Sequence, residues 1–289
     1  MSPSPRTLLT GAARRLADAG VASPRVDAEL LLAHVLGRSR TALLTLDDVD
    51  DDAVARFAAL LDQRAARVPL QHLTGRAPFR HLELAVGPGV FVPRPETEQL
   101  VEWALARVAG VAEPVVVDLG SGSGAIALSI AHEHPGARVT AVERDPQAIE
   151  WTRHNAALRA AAGDRPVTVL AGDMTDPGLL TGLDGAVDLV VSNPPYVPDG
   201  AHVPREVADH DPPLALWGGP DGLDVVRGLL RTAARLLCPG GGLGIEHADA
   251  QGGSLPALVR GSGDFADVAD HPDLAGRPRF TTARRTARD

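Results

Sequence analysis

Asn193-Pro194-Pro195-Tyr196 ends the apolar run Val187-Asp-Leu-Val-Val-Ser192, and its residue types suit chemistry on an amino group. The Asn193 side-chain carbonyl can accept one hydrogen bond from an NH2 group, and the backbone carbonyl of Pro194 can accept a second. Two acceptors converging on one nitrogen would orient a poor nucleophile. Pro195 would line the substrate site with its neighbours, and Tyr196 offers an aromatic face against which a flat group can lie. Val187, Leu189, Val190 and Val191 suit a strand buried on both faces. Pro194 carries no amide hydrogen, so sheet pairing should stop there and leave Asn193 at the carboxyl end of the strand. Ligands bind at such ends in open α/β sheets. The plain alternative is a strand followed by a Pro-rich turn, and the loop upstream argues against it.

That loop is Asp118-Leu119-Gly120-Ser121-Gly122-Ser123-Gly124. It follows the strand-like Val115-Val116-Val117 and precedes a helix predicted over Ala125–Ala131. Glycines permit a tight turn and close backbone approach, and the helix amino terminus offers free N–H groups to an anion. Gly120-x-Gly122-x-x-Ala125 also fits a dinucleotide fingerprint, so a nicotinamide or flavin reading stands at this point. The next elements narrow it. Arg138–Val142 reads as a second strand ending in Glu143, where a carboxylate can bind both hydroxyls of a ribose. Asp145-Pro146 then starts a helix. Val167–Ala171 reads as a third strand, followed by Asp173 and Met174, which could hold an adenine ring by edge and face. A solvated surface acid is the ordinary reading of any one of these acids; three at successive strand ends make a nucleoside site. A dinucleotide leaves Asn193-Pro194-Pro195-Tyr196 unexplained. S-adenosylmethionine does not: its methionine end would lie by the glycine loop and its methyl would face Asn193.

Asp-x-Gly-x-Gly-x-Gly, a strand-end acid and Asn-Pro-Pro-Tyr, in this order, resemble a class I S-adenosylmethionine-dependent N-methyltransferase. Pro69-Leu-Gln-His-Leu-Thr-Gly75, Phe91-Val-Pro-Arg-Pro-Glu-Thr-Glu98, Gly218-Gly-Pro-Asp-Gly-Leu-Asp224 and Asp273-Leu-Ala-Gly-Arg-Pro-Arg279 narrow the resemblance. They are similar to stretches of the protein-(glutamine-N5) methyltransferases that modify peptide chain release factors, the PrmC/HemK family. The resemblance covers nearly the whole chain. It implies a Rossmann-like α/β methyltransferase domain, S-adenosylmethionine as cofactor, and the glutamine of the Gly-Gly-Gln loop of class 1 release factors as target. It also places the Phe91–Glu98 stretch beside the cofactor pocket. Asn-Pro-Pro-Tyr is shared with adenine-N6 DNA methyltransferases and so speaks for reaction type only. Glutamine methylation of a ribosomal protein, adenine-N6 methylation of DNA and guanine-N2 methylation of RNA remain alternatives. A nucleoside-binding module without catalysis is a further one, although a binder needs no pair of acceptors aimed at an amino group.

Composition bounds these readings. The chain has 289 residues, 44% of them apolar, enough for two domains. No run is long enough for a membrane span, and the amino terminus lacks a signal-peptide layout. A lone cysteine, Cys238, forms no internal disulfide or cysteine-rich metal site. The expectation is a cytoplasmic monomer. The net charge of −9 disfavours a dedicated duplex-DNA binder. Arg284, Arg285 and Arg288 read as a solvated tail. The histidines show no metal-ligand spacing, so no metal is assigned; His72 and His247 read as capping or packing residues.

Two domains joined by a linker are expected: residues 1–75, a helical substrate-docking domain; 76–95, a β-hairpin linker; and 96–289, the methyltransferase domain. Helical spacing marks Leu8–Leu16, Ser23-Pro24 to Gly37, and Asp51 to Arg67, with acids at the start and Arg64 and Arg67 at the end of the third. His81–Val86, a Gly87-Pro88-Gly89 turn and Val90–Val92 predict the hairpin. Pro95-Glu96 starts a helix through Leu105. Residues 197–217 read as a Pro-rich irregular substrate-facing loop, followed by a helix over Leu223–Leu237. Leu243–Ile245 and Phe265–Val268 read as late strands, with Phe280–Thr282 closing an antiparallel edge.

Overall fold

The structure, a computed structural model, describes residues 3–287. Its contacts separate two units, Met1–Arg76 with Val203–His210, and Ala77–His202 with Asp211–Asp289.

The first unit opens with α1 (Pro5–Asp18), α2 (Pro24–Leu36), α3 (Asp51–Ala65) and the short α4 (Leu70–Thr74). The ends follow local chemistry. Ser4 and Asp50 cap α1 and α3 by accepting the amides of Thr7 and Ala53, Pro5 and Pro24 occupy first helical turns, and Gly37 ends α2 in the left-handed conformation. Leu9, Leu16, Leu31, Leu32 and Phe57 form the core. Arg64 lies in the last turn of α3, as the dipole pattern predicts, and has a further role. It is buried, pairing with Asp27 at 2.7 Å and Glu206 at 2.9 Å. Leaving one of these charges alone in the interior would be costly, so the three are interdependent.

The second unit begins with the hairpin, shifted from its expected position. Its strands are β1 (Arg76–Phe79) and β2 (Leu82–Ala85), turning at Arg80-His81. Arg80 takes φ +49° and is held there by Glu133 at 2.6 Å and Glu102 at 2.8 Å. Gly87-Pro88-Gly89 is no hairpin turn: the Pro88 carbonyl accepts from Trp151 Nε1, and Val86, Val90 and Val92 pack with Ala148.

A βα alternation follows: α5 (Glu98–Val108), β3 (Val115–Leu119), α6 (Ala125–Glu133), β4 (Arg138–Glu143), α7 (Pro146–Ala161), β5 (Thr168–Ala171) and β6 (Val187–Ser192). The stretch expected to be irregular holds α8 (Arg205–His210), which belongs to the first unit, and α9 (Pro213–Leu216). Its prolines start short helices rather than merely breaking them. Next come α10 (Asp224–Leu236), β7 (Leu237–Glu246), α11 (Ser254–Gly261), β8 (Phe265–Pro272) and β9 (Pro278–Arg285).

The seven strands lie in the order β5-β4-β3-β6-β7-β9-β8, the first five parallel and β9 antiparallel to both its neighbours, β7 and β8. Residues alternate between two cores. Val116, Leu189 and Val191 face α5 and α6, whereas Val117, Val190 and Ile245 face α10 and α11. The chain order reverses between β3 and β6, a topological switch point of the kind at which open α/β sheets bind ligands. β9 is not the expected edge; β8 is. Arg285 therefore lies inside, 3% exposed, donating to the carbonyls of Ala234 and Asp264. Arg284 pairs with Asp267, and Arg288 lies outside the described residues.

Candidate active site at the β3–β6 switch point

The residues singled out in the sequence stand at the carboxyl ends of four neighbouring strands: Asp118 to Gly124 after β3, Glu143 ending β4, Asp173 and Met174 after β5, and Asn193 to Tyr196 after β6. Three of these segments converge at Gly120. A Cβ there would lie 2.7 Å from the Met174 methyl and 3.9 Å from the Asn193 carbonyl. The loop is pinned to β4, since the Gly120 and Ser121 amides both donate to the Val142 carbonyl. At Gly122, φ is +56° and nothing lies within 4 Å of where a side chain would start.

Glu143 is the node of this half. Its Oε2 accepts the Gly122 amide at 2.9 Å, and its Oε1 accepts the amides of Arg144 and Asp145. Oε2 keeps a lone pair for a further donor. Asp118 is fully buried; Oδ2 accepts the Ala127 amide at 3.1 Å, whereas Oδ1 has no partner. Burial pushes its carboxyl up to about 7, against the Ala127 bond, and Glu143 adds to the rise. Asp173 is engaged locally. Its Oδ1 accepts both the amide and hydroxyl of Thr175, and its Oδ2 meets Arg144 at 3.3 Å. Burial pushes its pKa up, but these bonds outweigh it and hold the acid below its ordinary value. Met174 also packs into the core beside Leu119 and Val142. Ser121 and Ser123 are buried, the former with its hydroxyl 3.3 Å from that of Thr152.

In the other half, Pro194 and Pro195 are buried while Asn193 and Tyr196 are partly exposed. Asn193 Nδ2 donates to Thr97 Oγ1 at 3.4 Å. Among the described residues, neither Asn193 Oδ1 nor the Pro194 carbonyl accepts a hydrogen bond from the protein. Burial and the nearby Glu246 charge push the Tyr196 hydroxyl pKa up.

Residues 7–75 match the model of the PrmC N-terminal domain, and residues 88–210 match that of the methyltransferase small domain. The chain is 53% identical to the release factor glutamine methyltransferase of Mycolicibacterium smegmatis, the alignment covering 98% of each. It is 55% identical to that of Streptomyces coelicolor, over 95% of each. The chain belongs to the release factor glutamine methyltransferase family. Among solved structures, the hMettl16 catalytic domain in complex with MAT2A 3'UTR hairpin 6 shares the fold with a TM-score of 0.56 at 14% identity, over 80% of this chain and 82% of that one.

Two of the four stretches that mark the family resemblance, Phe91–Glu98 and Gly218–Asp224, have physical tasks around Asn-Pro-Pro-Tyr. In Phe91–Glu98, Arg94 lies 4.8 Å over the Phe91 ring and pairs with Asp211 at 2.9 Å, while Thr97 reaches Asn193. Gly218–Asp224 supports the turn from behind. A Cβ on Gly218 would lie 2.6 Å from the Pro195 carbonyl oxygen, and one on Gly222 would overlap the Tyr196 carbonyl. Gln251 Nε2 donates to that carbonyl at 3.1 Å and to Asp221 at 3.2 Å. Asp273 organises the β8–β9 turn by accepting the amides of Ala275 and Arg277 and pairing with Arg279. His247 is a packed residue, bridging the Ala248 carbonyl and Asp270. Among the described residues, no group of three or more histidine, cysteine, aspartate or glutamate side chains could hold a metal ion. None of their helices is long and apolar enough to cross a membrane.

Sequence reasoning missed Thr97, Glu246 and Gln251. They come from three separate segments, so no spacing links them. One signal was available for Glu246, because it ends an apolar strand as Asp118 does.

Proposed function

We propose that this chain transfers the methyl group of S-adenosylmethionine to the side-chain amide nitrogen of the glutamine in the Gly-Gly-Gln loop of class 1 peptide chain release factors. One observation carries the chemistry: among the described residues, Asn193 Oδ1 and the Pro194 carbonyl, beyond β6 at the switch point, accept no hydrogen bond from the protein. Membership of a family named for release factor glutamine methylation supports the substrate.

The residues fit the cofactor. The partnerless buried oxygen of Asp118 and the open left-handed Gly122 suit the polar amino-acid end of such a molecule. Gly120, Ser121, Ser123 and Gly124 shape that cradle. Glu143 would accept from ribose hydroxyls with its remaining lone pair. Met174 would pack beside the adenine. The Asp173 carboxylate, already satisfied by Thr175 and Arg144, would contribute mainly by holding this wall in place. When bound, S-adenosylmethionine supplies a methyl group already activated on a sulfonium sulfur.

A glutamine amide nitrogen is a weak nucleophile because its lone pair is delocalised into the carbonyl. Asn193 and Pro194 accept one hydrogen bond each from its NH2 group, turn the nitrogen and favour positive charge developing on it. Tyr196 and Pro195 wall the slot and align the planar amide. The surplus proton leaves the nitrogen after transfer, so the motif needs no carboxylate base. Two glycines before the glutamine leave the substrate backbone without β-carbons, which suits entry to a narrow slot.

The test offers the protein labelled S-adenosylmethionine together with an intact release factor, ribosomal proteins and duplex DNA under identical conditions. Label on the release factor is expected. Preferential label on DNA or a ribosomal protein would replace the proposed substrate while keeping the chemistry.

A further inference from the structure

Glu246 is a buried acid with no part in the transfer as described above. It ends β7, whose residue Ile245 pairs with Ser192, the residue before Asn193. It is 1% exposed, and its Oε2 has no hydrogen-bond partner. Thr97, 4% exposed, and Tyr196 are the hydroxyl-bearing side chains next to its carboxylate. Arg279 on β9 and Glu96 before α5 are the other charges that face it. Burial pushes its carboxyl up to about 7, with the Thr97 hydroxyl and Arg279 opposing. An acid held in so apolar a place needs a reason, because a neutral residue would cost less.

The reason lies in hydrogen-bond direction. The Asn193 amide can turn either its NH2 or its oxygen towards Thr97, and only the first leaves the oxygen for a substrate. A threonine hydroxyl could serve both orientations, since it both donates and accepts. Once ionised, above its raised pKa of about 7, the carboxylate can only accept, so it draws the Thr97 proton to itself. Thr97 must then accept from Asn193, which is the bond observed between Nδ2 and Oγ1. We infer that Glu246 is a positioning residue that, through Thr97, fixes the Asn193 amide with its oxygen towards the substrate slot, and through Tyr196 steadies the far end of the turn. This role rests on the proposed function, because it concerns the same acceptor.

The test uses Thr97→Val, Thr97→Ser and Glu246→Gln, each alone and combined with Asn193→Ala. Val keeps the shape of threonine without the hydroxyl, Ser keeps the hydroxyl, and Gln at 246 can donate to Thr97 and so release the direction. Thr97→Val and Glu246→Gln should lower kcat by about 10–100-fold, the lower part of the range for a preorganised polar contact. KM for the release factor and affinity for S-adenosylmethionine should stay within about twofold, and Thr97→Ser should restore kcat. In the Asn193→Ala background neither substitution should lower kcat further, since the amide they orient is gone. Full kcat in both single variants, or losses that multiply with Asn193→Ala, would overturn the assignment. An activity-free readout separates this inference from the substrate reading. The Asn193 side-chain NH2 should exchange slowly with solvent in wild-type protein and faster in Thr97→Val. Equal exchange in the two would reject the orienting bond even if release factor is methylated.

Discussion

Gly222→Ala tests whether Asn-Pro-Pro-Tyr is held in place from behind. Gly222 has φ +73°, and a Cβ there would overlap the Tyr196 carbonyl oxygen and lie 2.7 Å from Gln251 Nε2. Left-handed backbone costs an alanine roughly 1–2 kcal/mol. Crowding adds roughly 1–3 kcal/mol, because the obstacle is backbone rather than the end of a flexible chain. A total of roughly 2–5 kcal/mol should lower the melting temperature of a unit this size by roughly 5–15 °C. The carbonyl relieves the overlap by retreating about 1 Å, and a misplacement of that size can cost on the order of 10²-fold in rate. The Gln251 bond that secures it would be lost with it. The glycine loop and Glu143 lie on other segments, so affinity for S-adenosylmethionine should be nearly intact. Thermal unfolding, calorimetric titration and single-turnover methylation measure the three quantities. Wild-type turnover in Gly222→Ala, or a fall in cofactor affinity that matches the fall in turnover, would refute the reasoning.

Gly122→Val places a branched side chain at φ +56° in the open part of the loop and should abolish S-adenosylmethionine binding in calorimetry while the protein remains folded by circular dichroism. Glu143→Ala removes the acceptor of the Gly122 amide and should weaken cofactor binding by roughly 1–3 kcal/mol; unchanged affinity would count against a ribose site at β4. Asn193→Ala should leave cofactor affinity nearly intact and lower turnover by about 10²–10³, as read by stopped assays at saturating cofactor. Asp118 and Glu246 both have folded-state pKa values raised to about 7, so between about pH 4 and 7 the folded protein binds more protons than the unfolded chain. Stability of the ligand-free protein should therefore fall as pH rises through that window and level off above it; Asp118→Asn should flatten the decline in denaturant titrations, and an unchanged slope would contradict the burial argument.

The parallel half of the fold was legible because each strand combines an apolar run with a chemical full stop. Val187–Ser192 ends at Pro194, and Arg138–Glu143 ends at a capped helix start, Asp145-Pro146, which begins α7 as expected. The hairpin was misplaced because Gly87-Pro88-Gly89 carries stronger turn chemistry than Arg80-His81. What turns the chain at Arg80 is ion pairing with Glu102 and Glu133, and distant partners leave no local pattern. Arg285 read as part of a tail because its burial depends on β9 entering the sheet between β7 and β8. The candidate site divides the same way. Its acids and glycines lie at strand ends and could be found from order along the chain. The support for Asn193 and Tyr196 comes from Thr97, Gly222, Glu246 and Gln251, which only the folded sheet brings together.

The central claim is that two acceptors at the end of β6 present a glutamine amide nitrogen of a release factor for methylation. Its most direct measurement is mass-spectrometric location of the methyl group after the full-length protein acts on a class 1 release factor and on its Gly-Gly-Gln to Gly-Gly-Ala variant. A single added methyl on the glutamine side chain, absent from the variant, is the predicted result. Equal methylation of both proteins, or a methyl on any other residue, would contradict it.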